Sequence, residues 1–168
     1  MKWIQQRIVM IGLFFIGAML AGCGTHQNVT TAGNQSGTPG PVQQLRISAL
    51  TEFVRLPDHP QVHLKAMTEL LDASGQSVQL PCIWRFELYH FVPRSSEPRG
   101  FRITLWPDVD VTATAEDDTH WEAFLKGYEF YLPLEEELQP GKKYVLEVTA
   151  MTDQRRYNDL FEIQYLPE

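Results

Sequence analysis

In residues 83–91, IWRFELYHF, apolar and polar side chains alternate: Trp84, Phe86 and Leu88 fall at one parity, Arg85, Glu87 and Tyr89 at the other. A period of two puts each set on its own face of an extended chain, so the segment reads as a strand with one buried face. The pattern recurs. Val62, Leu64, Ala66 and Leu70 alternate with His63, Lys65, Met67 and Glu69, and Phe101, Ile103 and Leu105 alternate with Arg102, Thr104 and Trp106. Further strands are predicted at LRISAL, at GYEFYLPL (Tyr128, Phe130, Leu132), at KYVLEVTA (Tyr144, Leu146, Val148) and at DLFEIQYL (Phe161, Ile163, Tyr165). Asp72, Ser74 and Gly75 supply turn chemistry between two of them. Only DDTHWEAFLKG has helical character. About seven to eight strands separated by turn signals predict an all-β chain, folded as an antiparallel β-sandwich. The domain is placed at residues 43–168, long enough to bury a core.

The N-terminus follows other rules. Lys2 and Arg7 precede residues 8–22, IVMIGLFFIGAMLAG, which carry no charge. Signal-peptide hydrophobic regions run to about 15 residues and a bilayer-spanning helix needs about 20, so the layout is that of an export signal. No polar face breaks the run, which opposes a buried amphipathic helix. Its end, Leu20, Ala21, Gly22 and Cys23, resembles the lipobox of bacterial lipoproteins. The resemblance implies that residues 1–22 are cleaved and that Cys23 takes a diacylglycerol and an acyl chain of the palmitate kind, becoming the first mature residue. Two or more such chains hold a protein stably at a membrane. Gly24 stands where some bacteria use aspartate to retain lipoproteins at the inner membrane, so the resemblance implies an outer-membrane address. Residues 23–42 add GTHQNVTTAGNQSGTPGPV after the cysteine, an uncharged stretch expected to be a disordered, flexible linker.

Losing residues 1–22 removes Lys2 and Arg7 and leaves 12 basic against 21 acidic side chains, a formal net charge of −9. Such a domain is a poor partner for nucleic acid, and attachment is expected through lipid instead of a basic patch. With Cys23 acylated, Cys82 has no second cysteine to pair with in the chain and is expected to be a buried small apolar residue.

A second motif refines the fold. LQPGKKYVLEV, with Pro140, Gly141 and Tyr144, resembles the turn and penultimate strand of fibronectin type III and related immunoglobulin-like domains. The resemblance implies an immunoglobulin-like sandwich in which the Tyr144 hydroxyl bonds a backbone group a few residues upstream. It also casts Trp84 as a core tryptophan and makes a hairpin of the last two strands, through TDQRRYND. Leu146 stands where antibody domains carry a cysteine, so no inter-sheet disulfide is implied. The distance from Trp84 to Tyr144 implies an insertion around residues 107–126. The mature chain also resembles planctomycete lipoproteins that share a WRFELY-type strand.

Candidate chemistry is sparse. Asp108, Asp110 and Asp117 belong to the densest acidic stretch, and hard oxygen ligands gathered this way suit calcium. The helix-loop-helix calcium pattern fails, with Ala113 and Thr119 where glycine and glutamate belong. A solvated acidic loop is the plain alternative, as it is for Glu135, Glu136 and Glu137. His26, His59, His63, His90 and His120 show no metal-binding spacing, and no GxSxG elbow exists. Tyr89, Trp106 and Tyr131 fall at outward parities, where rings stack on a sugar or join a protein interface. The expectation is a non-catalytic envelope module without cofactor, meeting a protein partner; the alternative is a carbohydrate-binding accessory domain.

Overall fold

Ten strands account for the alternating segments in the computed structural model, which describes residues 40–112 and 119–167. The expected signal peptide, Cys23, the linker up to residue 39 and Asp117 lie outside the described residues. The strands are β1 (Val42–Ile47), β2 (Glu52–Arg55), β3 (Val62–Asp72), β4 (Cys82–Phe91), β5 (Arg99–Leu105), β6 (Val109–Val111), β7 (Trp121–Glu122), β8 (Gly127–Pro133), β9 (Lys143–Met151) and β10 (Arg156–Gln164). The seven expected strands are present. The three additions, β2, β6 and β7, are short pieces along sheet edges. β1 begins at Val42, one residue inside the expected linker.

The strands form two antiparallel five-stranded sheets. One runs β1-β3-β8-β7, with β2 beside β1 along β3; the other runs β10-β9-β4-β5, with β6 beside β5 along β4. Apart from the short β2 and β6, this is the strand order of an immunoglobulin-like sandwich. Between the sheets lie Leu64, Ala66 and Leu70 of β3, Trp84, Phe86 and Leu88 of β4, Phe130 of β8 and Leu146, Val148 and Ala150 of β9, all at most 1% exposed. The Trp84, Phe86 and Phe130 rings meet at centroid distances of 4.7 to 6.4 Å. Burying each such side chain contributes about 1.5–3 kcal/mol. The Tyr144 hydroxyl accepts the backbone N–H of Gln139 at 2.9 Å, five residues upstream, and its ring is buried.

Directional bonds fix the sheets at both open flanks. On one, the Tyr157 hydroxyl donates to the Val42 carbonyl at 3.0 Å, and the Ile47 amide donates to the Asp159 carboxylate at 2.8 Å. On the other, Trp106 Nε1 donates to the Pro133 carbonyl at 2.6 Å.

The helical character expected for DDTHWEAFLKG is not realised in its described part, which forms β7 and a turn into β8. Cross-strand pairing decides this. Trp121 sits opposite Tyr128, their rings packing edge-to-face at 5.0 Å, a contact that a helix this short has no counterpart for. Gly127 then brings β8 against β3, since a Cβ there would stand 2.9 Å from the Thr68 carbonyl oxygen.

Candidate interaction surface

The outer face of the second sheet gathers charged side chains from β4, β5 and β9. The Glu87 carboxylate accepts the Tyr89 hydroxyl at 2.8 Å and Arg102 Nη1 at 2.7 Å. Arg99 donates to Glu147 at 2.6 Å and, through two nitrogens, to Glu97 at 2.7 and 2.9 Å, while its guanidinium lies 5.9 Å from the Tyr89 ring centre. Arg85 clasps Asp108 with two bonds of 2.9 and 2.8 Å.

The electrostatics follow from these pairs. Burial, then the bond to Glu87, pushes the Tyr89 phenol up to about 12, so it keeps its proton and acts as a donor. Burial opposes ionisation of Glu87, but the bonds from Arg102 and Tyr89 outweigh it and hold the carboxyl below its usual range. The Arg99 side chain brings the exposed Glu97 carboxyl down to about 2. Each of these charges already has an opposite partner, which leaves the network little chemistry to offer a reactant. It is a shaped, fixed surface.

A strongly exposed side chain on this edge of the sheet is apolar. Phe101, on edge strand β5 between Arg99 and Arg102, is 88% exposed, and Leu105 and Val92 are half-exposed. Alternation places Phe101 and Leu105 in the core and Trp106 outside; the fold reverses this. Leu88 pairs with Thr104 and Tyr89 with Arg102, so Ile103 has no opposite number; a second extra residue enters between Tyr89 and Phe91. Each such β-bulge moves the following side chains to the other face. Two of them cancel: Arg99 and Leu105 both lie opposite outward residues of β4, Phe91 and Glu87, so Trp106, next after Leu105, turns inward, 6% exposed, before Pro107 interrupts the edge ahead of β6. The sequence signal for a bulge is Gly100 inside an otherwise good strand. A Cβ at Gly100 would stand 2.9 Å from the His90 carbonyl oxygen.

The other sequence candidates are dispersed. Tyr89 is half-buried on the second sheet, whereas Tyr131 is 46% exposed on the first, so the three aromatic candidates share no platform. Asp108 is engaged by Arg85, and Asp110 accepts the Thr112 amide at 3.0 Å. Among the described residues no three His, Cys, Asp or Glu side chains converge as a metal site would need. His63 is buried with Nδ1 3.2 Å from the Gln61 carbonyl, and His120 stacks on Phe130 with its Nδ1 3.1 Å from the Glu129 carbonyl. Cys82 is a buried thiol. A cavity of about 430 Å³ lies between β2 and residues 163–167, walled by Phe53, Arg55 and Tyr165 among others, without a histidine, cysteine or serine.

The chain matches no family model, no curated protein and no solved structure.

Proposed function

We propose that this is a lipid-anchored protein of the bacterial envelope whose sandwich is a non-catalytic interaction or assembly module, tethered through Cys23 and directed at a protein partner. The observation that carries the reading is Phe101, an almost fully exposed aromatic ring at the margin of a network whose charges are internally paired. Aromatic side chains ringed by polar groups are the usual energetic anchors of protein interfaces. The bulges beside it make β5 a poor template for another strand, which favours recognition by side chains. LAGC and the uncharged linker support the anchor.

The test has two arms. Mass spectrometry of the mature N-terminal peptide is expected to find acylated Cys23, and Cys23→Ser is expected to move the protein from the membrane to the soluble fraction. A photo-crosslinking residue at position 101 is expected to capture one discrete partner in intact envelopes, whereas the same residue at Leu160 captures none. Equal labelling from both positions would remove Phe101 from the reading.

A second reading, carbohydrate binding, draws on a cleft of about 270 Å³ where Tyr131 and Trp121 lie beside His120, Glu122 and Glu129. Rings with flanking hydrogen-bonding groups suit a sugar. Glycan-array binding that Tyr131→Ala abolishes is the result that would promote it over the first.

A further inference from the structure

A second phenylalanine stands out as far as Phe101. Phe124 is 90% exposed and its neighbour Leu125 is 37% exposed, both in the turn of residues 123–126 that joins β7 to β8. The turn is braced from three sides. Glu122 pairs with Gly127 at its base, the Phe124 amide donates to the Glu122 carboxylate at 3.1 Å, and Gly127 abuts the Thr68 carbonyl. Lys126 closes it with φ 53°. A turn held this way does not fold its apolar tip back onto the protein.

Its place in the sandwich gives the tip a direction. Val42 pairs with Asp72 at the end of β3, and the Gly40 amide donates to the Asp72 carboxylate, so the linker enters the domain there. Tyr128 pairs with Thr68, and β8 runs from there toward Pro133 opposite His63, so the turn before Gly127 projects toward the Asp72 end. Linker entry and apolar tip share one end of the sandwich.

We infer that the β7–β8 turn is a second membrane contact, with Phe124 and Leu125 entering the interfacial layer of the bilayer that holds the anchor. This deepens the lipid-anchor reading and rests on it. Sixteen residues, 24–39, separate Cys23 from Gly40. An uncharged linker of that length has a root-mean-square reach of roughly 20–25 Å. The end where it enters the domain is thus kept close to the lipid surface. Interfacial apolar side chains settle about 5–10 Å into the headgroup boundary. Lys126 suits that position, its stem beside the apolar pair and its ammonium at the phosphates. The Glu122 carboxylate is turned back on the Phe124 amide.

The experiment uses the mature acylated chain in vesicles of phosphatidylethanolamine and phosphatidylglycerol. Phe124→Cys carries an environment-sensitive fluorophore; Ser96→Cys, in the exposed β4–β5 loop at the opposite end, carries it as the control. Cys82 is buried and Cys23 is acylated, so labelling is confined to the new thiol. The expected result is a blue shift and several-fold quenching by lipid-borne quencher at position 124, with neither at position 96. If the chain floats with the vesicles but position 124 is not quenched, the second contact is overturned and the anchor stands. If both positions are quenched alike, the orientation is overturned. If the chain does not float and its Cys23 carries no lipid, the anchor reading falls, and this inference with it.

Discussion

The two flanks of β4 obey different rules. Toward β9, eight consecutive pairs run from Ile83 opposite Met151 to His90 opposite Tyr144 with no slip. Toward β5, only four pairs form and the register shifts twice. On the first flank, inward parity coincides with burial at every step from Trp84 to Leu88. On the second, a phenylalanine is turned to solvent and a tryptophan into the core. An interior strand is held by neighbours on both sides, so a slipped residue would expose apolar surface and orphan backbone groups. An edge strand has one neighbour, and an extra residue bulges outward at small cost. The flank that loses alternation is the one that gains a surface.

Substitutions test that contrast, the strongest first. Trp84→Ala empties the centre of the regular flank and is expected to cost about 3–5 kcal/mol in urea unfolding. Trp106→Ala is expected to cost about as much, because the register of β5 against β4 turns the ring into the core; a cost under about 1 kcal/mol would show that the ring is not packed. Tyr144→Phe removes the hydroxyl from the Gln139 amide and is expected to cost about 1–2 kcal/mol. Phe101→Ala is expected to stay within about 0.5 kcal/mol while abolishing partner capture by a photo-crosslinking residue placed at the half-exposed Leu105, separating binding from folding.

The smallest effect concerns acid. The Glu97 carboxyl is depressed from 4.5 to about 2 by the Arg99 side chain. A depressed folded-state value contributes stability that is present above the unfolded value and lost as pH falls through the folded one. Glu97→Gln should therefore lower stability slightly at pH 7 and flatten the profile between about pH 4.5 and 2, the difference from the native chain vanishing at the acid end of that window. Because Glu97 is open to solvent the change is expected to be slight, and an NMR titration of its carboxyl with a midpoint near 4.5 would show that the pair does not persist in solution.

Much of the architecture was legible. The seven principal strands follow from alternation, and Leu138 to Tyr144 spells out the turn and its hydroxyl bond. What escaped was decided by pairing. Nothing in RGFRITLW states how many residues β5 spends against β4; Gly100 alone hints at it. The described part of DDTHWEAFLKG is a strand and turn because Tyr128 faces Trp121 across a hairpin, a contact absent from any short window. The exposed rings escaped for the same reason. Phe101 reads as core by parity and Phe124 as helix by neighbourhood, so both tips were hidden among residues assigned elsewhere.

The bonds across the open flanks carry one more meaning. Sheets joined by apolar side chains alone resist separation more than sliding, since hydrophobic contact has no preferred direction. Trp106 to Pro133 on one side, with Tyr157 to Val42 and Asp159 to Ile47 on the other, lock that sliding coordinate. Phe101 belongs to one sheet and Phe124 to the other, so the clasps make the sandwich a rigid spacer: the two rings keep a constant separation, and whatever meets one is held at a set height above whatever meets the other.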